Sequence, residues 1–226
     1  MKRRIMISAA IAAVGVTLAA TSAYSASGTT AGQAGQAVSD TEAQQQFLRH
    51  GPNPYQYLPK VPSFKVTSQT VRKGRPLPTP QQSGIFGVPG GKDISPQLSW
   101  SGFPARTKSF VISMYDPQAP TGSGFWHWVV ADVPATTTSL PENAGVPNSK
   151  SLPAGALQLS GDAGASRYIG GAPPAGSGIH NYYITITALD IAKSGVGPTA
   201  SGALLGFTIG SHTIARATLI CPTAAE

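Results

Sequence analysis

Proline sets the first limit on this chain: twenty prolines are scattered through 226 residues. Each would break a helix interior at a cost of roughly 3 kcal/mol, so a long helical bundle is excluded. Twenty-six glycines add further turns. Only 11% of residues are charged, which is too few for a coiled coil or a charge-driven disordered chain. A single cysteine, Cys221, supports neither an internal disulfide framework nor a multi-cysteine metal knot, and is read as a buried or idle thiol. What remains is a loop-rich, mainly β domain with attached segments.

The segment 1–26 has the form of an export signal. Lys2, Arg3 and Arg4 precede an apolar run from Ile5 to Ala20, and Ala23-Tyr24-Ser25 offers a small-x-small cleavage site. The run is too short and Ala-rich for a comfortable membrane span, so a secreted or extracytoplasmic chain without a stable span is expected. Removing the segment leaves 13 basic against 9 acidic residues, a net charge of about +4. Arg72, Lys73 and Arg75 form the only dense basic cluster, without interleaved aromatics, so no nucleic-acid partner is expected. Residues 27–62 read as a flexible linker followed by a Pro-rich arm, with a short helix between Thr41 and His50.

The folded domain is expected over residues 63–222. Five stretches have strand character: Phe64–Val71, Ser109–Tyr115, Phe125–Ala131, Tyr182–Leu189 and Thr213–Ile220. A helix is expected from Thr199 to Leu205, ending near Gly206. No strand–helix alternation occurs, so an antiparallel sandwich or barrel is favoured over a parallel sheet. Strict alternation through Phe125-Trp126-His127-Trp128 would put both tryptophans on one face and Phe125 and His127 on the other, where an imidazole beside bulky aromatics suits a hydrogen-bonded core residue ahead of a functional one. Asp116 ends an apolar strand before Pro117, where it suits either an Asx turn or a carboxylate at a cleft mouth. His180 follows a Pro/Gly loop, Ala172 to Ile179, whose backbone N–H groups suit either a plain turn or an anion cradle. Asp93 and Asp132 are expected as turn residues, and Trp100 as a core aromatic. His50 is given no role.

Taken together, Asp93-Ile-Ser-Pro-Gln-Leu-Ser-Trp-Ser-Gly102, Tyr115-Asp-Pro-Gln-Ala-Pro120, Trp126-His-Trp128 and Gly176-Ser-Gly-Ile-His180 resemble the phosphatidylethanolamine-binding protein family, in its bacterial Raf-kinase-inhibitor-like branch. The resemblance covers about residues 63–221. It implies an antiparallel Greek-key β-sandwich with a few short helices. It also implies an anion pocket of Asp116, His127 and His180, walled by Pro120, Tyr168, Ala172 and Pro173 with Phe125 at the rim. Phosphate or a phospholipid head group is the implied partner, with no cofactor, metal or catalytic residue. His212 is implied to be a structural cap.

Three positions and one segment depart from the family pattern: Gln118 and Asn181 replace an Asp and an Arg, Ala172 replaces a Gly, and the segment Ile85–Gly91 lacks a Cys feature. With Asp116 as the orienting group and both histidines as donors, anion affinity is expected to rise as pH falls through about 6.5. The main reading is a non-enzymatic binding or inhibitor-like module. The alternatives are a metal-dependent hydrolase using the same three residues and an extracellular protease inhibitor.

Overall fold

The computed structural model describes residues 53–225, so the signal-like segment, the linker and the region of the helix expected between Thr41 and His50 lie outside the described residues. Two antiparallel sheets form the framework. Strands β1 (Lys65–Thr67), β2 (Leu98–Ser101) and β5 (Ser139–Leu140) make a three-stranded sheet in the order β1-β2-β5. Strands β3 (Ser109–Asp116), β4 (Phe125–Pro134), β6 (Leu157–Gln158), β7 (Ile179–Leu189) and β8 (Thr213–Ala224) make a five-stranded sheet in the order β6-β4-β3-β7-β8.

The larger sheet is covered on both faces, which explains why β3 and β4 read as near-continuous apolar runs. On its inner face Phe110, Ile112, Met114, Trp128, Tyr182 and Ile184 join Leu98, Trp100 and Leu140 from the small sheet in one core. On its outer face Val111, Val129 and Leu189 meet Leu205 and Ile209 around helix α1 (Gly202–Thr208). The helix starts three residues later than expected, because the hydroxyl of Ser201, not Thr199, accepts from the Leu204 N–H at its N-terminus. Gly206 lies inside it. Among the described residues no helix is long and apolar enough to cross a membrane.

The Pro-rich arm packs on the outer face. Pro62 accepts a backbone bond from Arg216, and the Tyr55 hydroxyl donates to Thr185 Oγ1 at 2.8 Å. The arm therefore lies across the sheet from the inner-face histidines.

Two bulges break the β3–β4 ladder, and both correct the simple alternation. Met114 pairs with Trp128, but Tyr115 pairs with Trp126, so His127 is an extra residue. Trp126 consequently packs with the outer core and Trp128 with the inner one. The two tryptophans do not share a face: the inserted residue resets the pleat, and His127, Phe125 and Trp128 all turn inward. The second irregularity lies between Phe110 and Ile112, opposite a stretch containing Asp132 with φ of 59°. Asp132 is thus a residue inside β4 rather than in a turn. Its Oδ1 accepts from Ser194 N at 2.7 Å and anchors the loop after β7.

Candidate functional site

Asp116 ends β3 and is paired in register with Phe125, the first residue of β4. His180 is the second residue of β7 and points inward with Tyr182. These placements bring two distant segments together: His180 Nδ1 donates to Asp116 Oδ2 at 2.6 Å. A carboxylate oxygen only accepts, so this bond assigns the ring proton to Nδ1. The other Asp116 oxygen accepts from the Gln118 N–H at 2.9 Å, an Asx turn that holds the carboxylate at the strand end. Gln118 in turn accepts from the Asn181 N–H at 3.0 Å, tying the β3–β4 connection to β7. The two family departures thus meet each other.

His127 joins the same corner from the bulge. Its ring lies 4.8 Å from that of Phe125 and 5.2 Å, edge-on, from that of Tyr182. Nδ1 donates to the Ile169 carbonyl at 3.1 Å, since a carbonyl can only accept. Burial pushes the imidazole down to about 4, outweighing the opposing pull of the Asp116 charge and of the Ile169 and Gly170 carbonyls. His127 is therefore neutral at pH 7, and the neutral ring presents Nε2 as an acceptor. This differs from the expected donor role and from titration near pH 6.5. The cause is the inward turn at the bulge, which removes the ring from water.

Burial is tight throughout. Asp116, His127 and His180 retain 2%, 4% and 1% of their exposure, so an incoming molecule first meets the exposed Ser177 and the half-buried Phe125. Of the implied wall residues, Pro173 is buried and Pro120 exposed. Ala172 donates its N–H to the Tyr182 hydroxyl at 3.0 Å. Tyr168 is fully buried behind the site, packed on Trp128 with its hydroxyl donating to Gln81 O at 2.7 Å. Burial raises the hydroxyl pKa values of Tyr168 and Tyr182.

Two features were not found from the sequence. Ser177 Oγ lies 2.9 Å from His180 Nε2; the sequence marks its loop as a turn or an anion cradle through backbone N–H groups and gives the hydroxyl no role. Phe86 packs edge-on against Phe125 at 6.0 Å and completes the rim. The loop carrying Phe86 is pinned by Asp93, whose carboxylate accepts from Ile85 N at 3.0 Å and Gly170 N at 2.8 Å. Asp93→Asn exchanges one of these charge-assisted acceptors for an amide donor. It is expected to lower stability by about 1–3 kcal/mol, measured as the urea midpoint. His212 Nδ1 sits 3.0 Å from Asp190 Oδ1, far from these groups in the sheet.

A cavity of about 680 Å³ opens elsewhere, on the outer face between Tyr115, Trp126, Leu205 and Arg216. Its lining holds no carboxylate or imidazole, so the chemistry of the side chains places the candidate site at the corner.

The sequence model of the phosphatidylethanolamine-binding protein family matches residues 67–223. The chain belongs to that family. Within it the chain falls in the YbhB/YbcL bacterial branch. It is 44% identical over 155 residues to the UPF0098 protein YbcL of Escherichia coli, covering 69% of this chain and 84% of the relative. It is also 44% identical over 156 residues to the E. coli UPF0098 protein YbhB, covering 69% and 97%. The crystal structure of E. coli YbcL superposes with a TM-score of 0.69 at 41% identity, covering 73% of this chain and 99% of that one. The Chlamydia trachomatis homologue CT736 gives 0.60 at 27% identity, covering 73% and 99%. The family fold and the two-sheet architecture described above agree.

Proposed function

We propose that this family member is an exported module that binds a phosphate group, free or in a phospholipid head group, at Asp116, His127 and His180. The observation that carries the reading is the buried Asp116–His180 pair. A carboxylate spends its negative charge on orienting the ring, and the outer nitrogen and Ser177 are left at the mouth. The basic n-region and apolar run of residues 2–20 support export. His127 narrows the ligand class. As a neutral acceptor it suits a ligand that also brings a hydrogen donor. Hydrogenphosphate carries a P–OH, and phosphoethanolamine carries an ammonium; sulfate at pH 7 carries neither.

Titration calorimetry at pH 7 with the three ligands tests this. Phosphate and phosphoethanolamine are expected to bind at least about tenfold more tightly than sulfate, the worth of roughly one hydrogen bond. Phosphate affinity is expected to fall by a similar factor in His180→Gln. Equal binding of sulfate would remove the acceptor role of His127. No heat with any of the three at millimolar concentration would remove the site.

A further inference from the structure

We infer that Ser177 is a latent nucleophile, activated by His180 and oriented by Asp116, and that it can accept an acyl group from an apolar carboxylic ester. Three side chains form one line of hydrogen bonds. Ser177 Oγ is 2.9 Å from His180 Nε2, and His180 Nδ1 is 2.6 Å from Asp116 Oδ2. This order of hydroxyl, imidazole and carboxylate is the one that nucleophilic hydroxyl catalysis needs. The carboxylate holds a ring proton on Nδ1 and leaves Nε2 facing the hydroxyl. The base and its orienting group are almost fully buried, whereas Ser177 is exposed. The nucleophile is therefore reachable while its activators are shielded from water.

The loop supports the same assignment. Ser177 N–H donates to Pro174 O at 3.1 Å, closing a tight turn that fixes the serine backbone relative to β7. The hydroxyl also lies 2.7 Å from that carbonyl. Its one proton thus has two acceptors, and transfer to Nε2 requires only rotation about the Cβ–Oγ bond. The rim of Phe125, Phe86 and Pro173 is apolar, which selects an uncharged ester with an apolar acyl group.

The step balances as follows. Ser177 Oγ forms a bond to the ester carbonyl carbon as His180 Nε2 takes the hydroxyl proton. The bond from that carbon to the alkoxy oxygen then breaks, and the Nε2 proton passes to the departing alcohol. Water completes the cycle by attacking the acyl-serine, giving its proton to Nε2 and releasing the acid as Oγ is reprotonated.

The inference does not rest on phosphate binding and is tested separately. The intact protein is treated with a fluorophosphonate probe, which forms an Oγ–P bond and expels fluoride, and the adduct is located by peptide mass spectrometry. One adduct is expected, on Ser177. It is expected to be absent in Ser177→Ala, a change at an exposed position that leaves the fold and the circular dichroism spectrum intact. His180→Gln is expected to slow labelling by about 100-fold, the usual scale of a general base. A p-nitrophenyl ester of a short fatty acid is expected to release a burst of about one equivalent of p-nitrophenol, as acyl-serine accumulation requires. No adduct on the native protein, an adduct that survives Ser177→Ala, or an unchanged rate in a folded His180→Gln would each overturn the inference. Phosphate calorimetry on the native protein keeps the two readings apart. Retained phosphate binding without labelling of the native protein would reject the nucleophile and leave the anion site standing.

Discussion

Between pH 6.5 and about 4 the folded protein is expected to lose about 3 kcal/mol of stability through His127 alone. The sign follows from where the proton prefers to sit. In the unfolded chain the imidazole takes up a proton as pH falls through its ordinary value of 6.5, while in the folded chain burial delays uptake to about 4. Across that window the unfolded state binds more protons, so acid favours unfolding. The contribution is fully present above pH 6.5 and is lost progressively on the way down to about 4, where it levels off. With only 4% of its surface exposed, His127 has little solvent to screen it. Urea unfolding at half-unit steps measures the slope. His127→Gln keeps an amide N–H for the Ile169 carbonyl but does not titrate, so its stability should vary much less over the same window. An unchanged slope in that variant would mean that the burial of His127 does not govern acid sensitivity.

Gly170→Ala is expected to destabilise the protein by about 3 kcal/mol or more. A β-carbon there would lie 2.2 Å from the carbonyl carbon of Gln82, 2.5 Å from Ser83 N and 2.6 Å from Gln81 O. All three are backbone atoms of a segment that cannot swing aside as a side chain can. The same residue donates its N–H to Asp93 and follows Ile169, whose carbonyl holds His127. The clash therefore pushes apart the two segments that shape the site, and weaker phosphate binding should accompany the loss of stability. Gly206→Ala is the matched control. It meets nothing within 4 Å and lies inside α1, where alanine is favoured, so it should be neutral or stabilising by up to about 1 kcal/mol. Thermal unfolding of both variants, monitored by circular dichroism, separates contact strain from a general cost of adding a methyl group.

Much of the framework was legible because burial on both faces leaves a strong apolar signal. The stretch read as a strand from Ser109 to Tyr115 is β3, one residue longer, and Phe125–Ala131 and Thr213–Ile220 extend by three and four residues into β4 and β8. The short strands were harder. β2 has four residues and β5 and β6 two each, and strands this short owe their form to their partners rather than to local pattern. The identities of Asp116 and His180 were readable from motif resemblance, but their bond depends on a separation of 64 residues that no local pattern encodes. His127 shows the opposite case. Its place beside Phe125 and a buried, hydrogen-bonded imidazole were legible, whereas the separation of Trp126 from Trp128 was not, because an inserted residue breaks the alternation on which their shared face was judged. Ser177 looked like turn filler, and only the approach of His180 gives it chemical meaning.

The displaced pleat in β4 also separates maintenance of the scaffold from chemical specialisation. Position 127 has no opposite number on β3, and its main-chain oxygen is instead taken up by Ile169 at 3.0 Å. The ladder on either side closes without reference to the side chain it presents. Such a position presents a functional side chain without interrupting the ladder, while Trp126 and Trp128 face opposite layers. A lineage that deleted the residue would regain an unbroken rhythm, keep Trp126 and Trp128 in their separate layers, and lose the imidazole alone.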